Sequence, residues 1–203
     1  MKIAFDIGCN EGIITEKFLK NYDLVISIDG DPAMCNMVKR KYECDKLRVH
    51  NNIVSDSVGK ILDFYISPMN TISTAEKKWI YDGRFFGKYT WDKTIKVETI
   101  TLDKLIQIYD VPDIIKIDVE GHELKVLKGL SNPVTELYFE WTEEFFDDAV
   151  KCVEHLQDIG YSKFGFTYAD NGNIEYRKWE NLTIHDDIVT NRKVKWGDIW
   201  ACL

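Results

Sequence analysis

Two short runs in this 203-residue chain carry residue types that can do chemistry. The first is Asp6-Ile7-Gly8-Cys9-Asn10-Glu11-Gly12, between an apolar run and a helical pattern. Gly8 would let the chain turn tightly and let a ligand approach the backbone, and Gly12 would let the helix start close to the strand. Asp29 closes the next apolar run, where an acid can accept hydrogen bonds from both hydroxyls of a ribose. A dinucleotide fingerprint needs glycine where Asn10 stands, because a pyrophosphate presses on that position. The Walker lysine pattern is also absent. A ribose-bearing ligand without phosphate at the turn is therefore expected. S-adenosylmethionine fits, with Asp6 facing its ammonium through hydrogen bonds or a water. The second run is Ile114-Ile115-Lys116-Ile117-Asp118-Val119-Glu120-Gly121-His122-Glu123. Ligands in α/β sheets gather at the carboxyl ends of strands, which puts Asp118 beside the glycine turn. Glu120 and Glu123 have a plainer reading as acids favouring the start of the next helix.

The elements that must hold these runs follow from hydrophobic periodicity. Lys2–Asp6, Leu24–Ile28, Leu47–Val54, Asp113–Val119 and Val134–Trp141 read as strands, with helices over Glu11–Lys20, from Pro32 to about Tyr42, Thr101–Tyr109 and Glu143–Ile159. Strand–helix alternation predicts an α/β fold, with a mostly parallel sheet and helices on both faces. Lys60–Ser67 and Thr94–Ile100 read as strand partners. Tyr161–Tyr168 and Ile174–Trp179 bracket Asn171-Gly172, a hairpin signal that adds an antiparallel end to the sheet. Asp198–Leu203 reads as a short strand packed at the sheet edge. Pro68–Lys93 is the one long irregular stretch, expected to be a lid or binding insertion within a single 1–203 domain.

The two motifs, with Val97-Glu98-Thr99-Ile100-Thr101-Leu102-Asp103 and Glu140, resemble the FkbM family of class I S-adenosylmethionine-dependent methyltransferases over roughly residues 3 to 160. The resemblance implies a Rossmann-like, seven-stranded sheet with a reversed last strand, and O-methylation of sugar or polyketide hydroxyls. In that reading the cofactor set is Asp6, Gly8, Cys9, Asn10, Glu11, Gly12, Asp29, Gly30, Asn52, Ile53 and Asp118. Where the family often carries Glu-Pro after the second strand, this chain has Asp29-Gly30-Asp31-Pro32, an acid one methylene shorter. The chain also looks like the C-terminal methyltransferase module of a large-virus glycan-building protein, which implies a longer protein carrying glycosyltransferase domains.

Methyl transfer to a hydroxyl needs positioning and a base within hydrogen-bond reach. Asp118 is the first candidate base, with His122 and Glu140 behind it, and Lys116 on the same strand face would hold carboxylates or touch substrate. Asp118, Glu120 and Glu123 offer an alternative, a hard divalent cation, although no metal is expected. On the acceptor side Ser73, Trp79, Arg84, Tyr89 and Trp91 could receive a small molecule or oligosaccharide; a satellite core under the loop explains the aromatics equally well. O-methylation of a non-sugar small molecule, or a catalytically silent nucleotide-binding scaffold, are the competing functions. A formal charge of −8 argues against nucleic acid, and the Pro-Cys and Asn/Asp-Pro-Pro-Tyr motifs of nucleic-acid methylation are absent. No apolar run is long enough for a membrane span or signal peptide, and five cysteines without zinc spacing suit a reducing, cytoplasmic setting.

Overall fold

The computed structural model describes residues 1–167, 177–178 and 195–203. Five parallel strands form the spine: β1 (Ile3–Ile7), β2 (Leu24–Asp29), β3 (Leu47–Asn51), β7 (Ile114–Ile117) and β8 (Glu136–Thr142). They lie in the order β3-β2-β1-β7-β8. Beyond β8 the sheet continues through β11 (Trp196–Cys202), β9 (Lys163–Phe166) and the two-residue β10 (Arg177–Lys178). β11 runs antiparallel to both β8 and β9, so it is the reversed last strand and lies inside the sheet. It is not at the edge, as its terminal position suggested, because β9 and β10 close that side. β10 pairs antiparallel with β9, as a hairpin requires; its Asn171-Gly172 turn lies outside the described residues.

Alternation along the strands splits the core between two faces. Phe5, Ile7, Ile26, Ile28, Ile115 and Ile117 pack beneath α4 (Leu102–Tyr109), α5 (Glu123–Lys128) and α6 (Phe146–Asp158). Ala4, Val25 and Ile114 face α1 (Ile13–Asn21) and α2 (Pro32–Lys41) through Phe18 and Val38. Helix starts are marked in the sequence. Asp31 accepts from the Ala33 N–H with Pro32 at the first helical position, and Thr101 accepts from the Lys104 N–H. Each such cap contributes about 1 kcal/mol. Leu102 and Leu105 are fully buried, which anchors α4 by about 1.5–3 kcal/mol per side chain.

A smaller sheet overhangs the glycine turn. β5 (Ile61–Ile66) pairs antiparallel with β6 (Lys93–Ile100), as the sequence predicts. The expected single strand Leu47–Val54 breaks at Asn52; Ile53–Val54 forms β4, which leaves the main sheet to pair with β6. The 68–93 stretch is not structureless. It holds a 3₁₀ turn at Asn70–Ile72 and α3 (Lys77–Asp82), whose Trp79 is buried against Phe85 and Phe145. All five cysteines are free, and among the described residues no helix is long and apolar enough to cross a membrane.

Candidate active site

The carboxyl ends of β1, β2 and β7 open into a cleft of about 740 Å³, open solvent at its mouth included, roofed by the small sheet and the Asn70–Ile72 turn. Its floor is the glycine turn. Gly8 has φ +74, and a Cβ there would run into the Asp118 carbonyl, so this glycine lets the ends of β1 and β7 touch. Gly12, at φ +79, gives way to Tyr42 and Val38 of the α2 side rather than to the strand. The Gly8 and Cys9 N–H groups both donate to the Ile28 carbonyl, which fastens the bend to β2.

Asp29 stands at the centre of the cleft wall. Its Oδ2 accepts from the Asn10 N–H and its Oδ1 from the Asp31 N–H, both at 2.8 Å. Burial pushes its carboxyl up to about 6 even against those two donors. Each oxygen keeps a lone pair for a further donor. Asn10 also lines the cleft, and its Oδ1 is buried with no donor among the described residues. Gly30 lies flat beneath the Phe64 ring, where a Cβ would come within 2.5 Å. Asn52 and Ile53 complete this side of the lining.

Asp6 and Cys9 do not reach the cleft. The Asp6 carboxylate is fully buried: it accepts from Thr15 Oγ1 at 2.6 Å and lies 3.5 Å from Lys116 Nζ. It therefore does not face a ligand ammonium, because β1 alternation turns it under the sheet. Cys9 is buried in the Phe18–Val38 core, and burial holds its thiol well above its ordinary value. Glu11 is exposed and receives Asn70 Nδ2 at 2.7 Å, a strap from the insertion to the turn.

Lys116 is buried and works as a pin. Its Nζ donates to the Gly8 carbonyl at 2.7 Å and lies 3.4 Å from Asp118 Oδ2. Burial opposes its charge, but Asp118 and Asp6 outweigh it and hold the ammonium above its usual range. Asp118, with its side chain 41% exposed, is the carboxylate presented to the cleft. Glu120 follows with φ +55, a left-handed conformation that costs a non-glycine residue about 1–2 kcal/mol. Strain of this kind is kept where function over-determines it. Burial and the neighbouring Asp118 raise Glu120 well above the usual carboxylate range.

Glu140, on β8 opposite Asp198 of β11, lies behind Glu120. Carboxylate oxygens of Asp118, Glu120 and Glu140 all fall within 4.8 Å of one another. Burial first, then Asp118 and Glu120, raise Glu140 well above its ordinary value. Glu123, grouped with Asp118 and Glu120 on sequence, does not join them. Its Oε1 accepts from the Val119 and Gly121 N–H groups and ties down the loop, and burial sets its carboxyl at about 7. His122 lines the cleft but is fully engaged: Nδ1 is 2.6 Å from Glu76 Oε1 and Nε2 is 3.1 Å from Ser55 Oγ. Lys125 shares the same Glu76 oxygen.

Among the expected acceptor residues only Ser73 lines this cleft. Trp79 is in the satellite core, and Arg84 makes a paired contact with Glu144, at 2.7 Å through Nε and 2.6 Å through an Nη. Trp91 Nε1 donates to the Ile72 carbonyl, and Tyr89 packs edge-on against Phe85. Sequence reading passed over Phe64 and Met34 in the cleft wall. Nothing in the sequence places β5 over the turn after β2, so no local signal could have found Phe64.

Comparison with known proteins agrees with this architecture. Residues 6–166 match the family model of the methyltransferase FkbM domain. The 2-O-methyltransferase NoeI of Sinorhizobium fredii is 30% identical over 155 residues, covering 70% of this chain and 62% of that protein. The hexuronic acid methyltransferase AglP of Haloferax volcanii is 39% identical over 54 residues, covering 26% of this chain and 23% of that protein. Each match thus spans less than two thirds of the relative's own length. A Listeria monocytogenes protein assigned as an S-adenosylmethionine-dependent methyltransferase shares the fold, with a TM-score of 0.51 at 11% identity, covering 99% of this chain and 90% of that one. Precorrin 8w decarboxylase from Methanobacterium thermoautotrophicum has a TM-score of 0.50 at 11% identity, covering 100% of this chain and 82% of that one. With its glycine turn, its Asp118 strand end and its family match over most of its length, the chain belongs to the FkbM methyltransferase family.

Proposed function

We propose that the protein transfers the methyl group of S-adenosylmethionine to a hydroxyl of a sugar or glycan. The observation that carries this reading is a single cleft with Asp29 on one wall and Asp118 and Glu120 on another. Asp29 would accept both ribose hydroxyls on its free lone pairs. Phe64 and Ile53 offer the apolar surfaces an adenine needs. The ammonium would be received by Asn10 Oδ1, a cleft-lining acceptor with no donor among the described residues, in place of Asp6.

The reaction is an in-line displacement at carbon. The acceptor oxygen forms a bond to the methyl carbon as the carbon–sulfur bond breaks, and that electron pair stays on sulfur. The acceptor proton passes to a carboxylate. Asp118 is the base in this reading, because it is the exposed member of the acidic group and Lys116 holds it in place. Its contribution would be about 10²–10⁴-fold. His122 is a positioning residue, since both ring nitrogens already face protein partners. The sugar class is supported by the two relatives, named for 2-O- and hexuronic acid methylation.

The test is mass spectrometry of a panel of glycosides and uronic acids after incubation with isotopically labelled methyl donor. A labelled methyl ether on a sugar is the expected product. Labelling confined to non-sugar hydroxyls, or none with any acceptor despite cofactor binding, would overturn the reading.

A further inference from the structure

The acidic group behind Asp118 holds more negative charge than its partners among the described residues neutralise. Its oxygens converge from three places: the end of β7 (Asp118), the left-handed turn after it (Glu120) and the neighbouring strand β8 (Glu140). Among the described residues, the cations near it are already committed. Lys116 is shared among Asp6, Asp118 and the Gly8 carbonyl, and Arg84 is clamped on Glu144. Glu140 Oε2 is sealed from solvent with no hydrogen-bond donor among the described residues. An unpaired carboxylate oxygen in such a position costs several kcal/mol unless a proton or a cation satisfies it.

We propose that Asp118, Glu120 and Glu140 form a binding site for one hard divalent cation of the Mg²⁺, Mn²⁺ or Ca²⁺ class. Three carboxylate oxygens with room for water are the ligand set such ions take. Oxygens bound to one Ca²⁺ ion stand at most roughly 4.6–5.2 Å apart, and the three carboxylates fall inside that limit, so a small inward shift of their side chains would bring them onto one ion. Mg²⁺ would draw them slightly closer. The two observations are independent: one is the convergence of oxygens from separate elements, the other the buried oxygen on Glu140 that lacks a donor. Glu123 is outside the site because its Oε1 is bound by backbone N–H groups.

The role of the ion rests on the sugar O-methylation reading. Bound at the acceptor end of the cleft, it would ligate the sugar hydroxyl and make its O–H more acidic. The proton would leave through Asp118 to solvent as the oxygen takes the methyl group.

Binding can be tested without the reaction. Metal-free protein saturated with S-adenosylhomocysteine is titrated with MnCl₂, following loss of the free-ion paramagnetic resonance signal and, in parallel, calorimetric heat. One Mn²⁺ per chain is expected, displaced by Mg²⁺ or Ca²⁺. Glu140→Gln should weaken Mn²⁺ at least about tenfold. It should leave S-adenosylhomocysteine affinity unchanged, since Glu140 does not line the cofactor cleft; that readout also reports folding. Absence of Mn²⁺ uptake at millimolar concentration in wild type would overturn the site, as would uptake undiminished in a folded Glu140→Gln protein. Mn²⁺ bound as described by a protein that methylates no sugar would uphold the site and remove only the acceptor reading.

Discussion

The two halves of the cleft differ in how their carboxylates are held. Under the glycine turn most polar groups are paired: Asp6 with Thr15 and the Lys116 ammonium, Thr15 with Ser27, and Asp29 with the Asn10 and Asp31 N–H groups, while Asp6 Oδ1 and Asn10 Oδ1 have no hydrogen-bond donor among the described residues. Past the end of β7, carboxylates face one another, Glu140 keeps an oxygen with no donor among the described residues, and Glu120 carries positive φ. A satisfied network fixes geometry. An unsatisfied one is expensive unless a ligand, a proton or an ion completes it. The first half is therefore scaffold for a cofactor, and the second is where chemistry is expected. If that division is right, mutations in the two halves should separate into losses of folding or binding and losses of turnover.

The largest expected effect comes from the scaffold half. Gly8→Ala places a Cβ into the Asp118 carbonyl at a φ of +74, and both contacts are backbone. Neither strand end can give, so the variant should lose at least about 4 kcal/mol in urea unfolding, the range kept for severe core disruption. Gly12→Ala is the sharper comparison, since there the neighbours are the movable side chains of Tyr42 and Val38. A Gly8→Ala protein as stable as wild type would break the view of the turn as rigid scaffold.

Next comes Asp118→Asn in the reactive half. Asn is nearly isosteric but a poor base, so turnover should fall about 10²–10⁴-fold while S-adenosylhomocysteine affinity stays within a few-fold. Comparable losses in both quantities would erase the distinction between the two halves at this residue.

The comparison also explains what the sequence could show. The glycine turn and the Asp118 run were legible because their residue types sit at fixed offsets from strand ends. Asp6 was misjudged because its direction depends on strand alternation against Lys116, a contact made across 110 residues of chain. Glu123 and Glu140 changed places in the acidic group for a related reason. The positive φ at Glu120 reverses the chain, and neither that turn nor the β7–β8 register is written locally. Trp79 and its neighbours read equally as sugar platform or satellite core, and burial places Trp79 in the core while Tyr81, Phe86 and Tyr89 stay exposed.

A smaller effect sharpens the cofactor side. Asp29→Ala should weaken S-adenosylhomocysteine by roughly 1.5–3 kcal/mol, the cost of hydrogen bonds to a charged group. Unchanged affinity in calorimetry would remove Asp29 from the ribose role.

The smallest effect is a pH dependence. Burial raises the Asp29 carboxyl from an ordinary 3.8 to about 6, so the folded protein prefers it neutral more than the unfolded chain does. Its contribution to stability is thus present below about pH 4 and is lost as pH rises through about 6. Ribose hydroxyls pull the other way, since they donate more strongly to a carboxylate than to a carboxylic acid. Affinity for S-adenosylhomocysteine should therefore weaken severalfold from about pH 7 to about pH 5 in wild type, with the inflection near 6. Asp29→Asn should show weaker binding with that inflection gone. An inflection that survives the substitution would assign the titration to another group and leave Asp29 with only its two backbone donors, a member of the scaffold and not of the cofactor site.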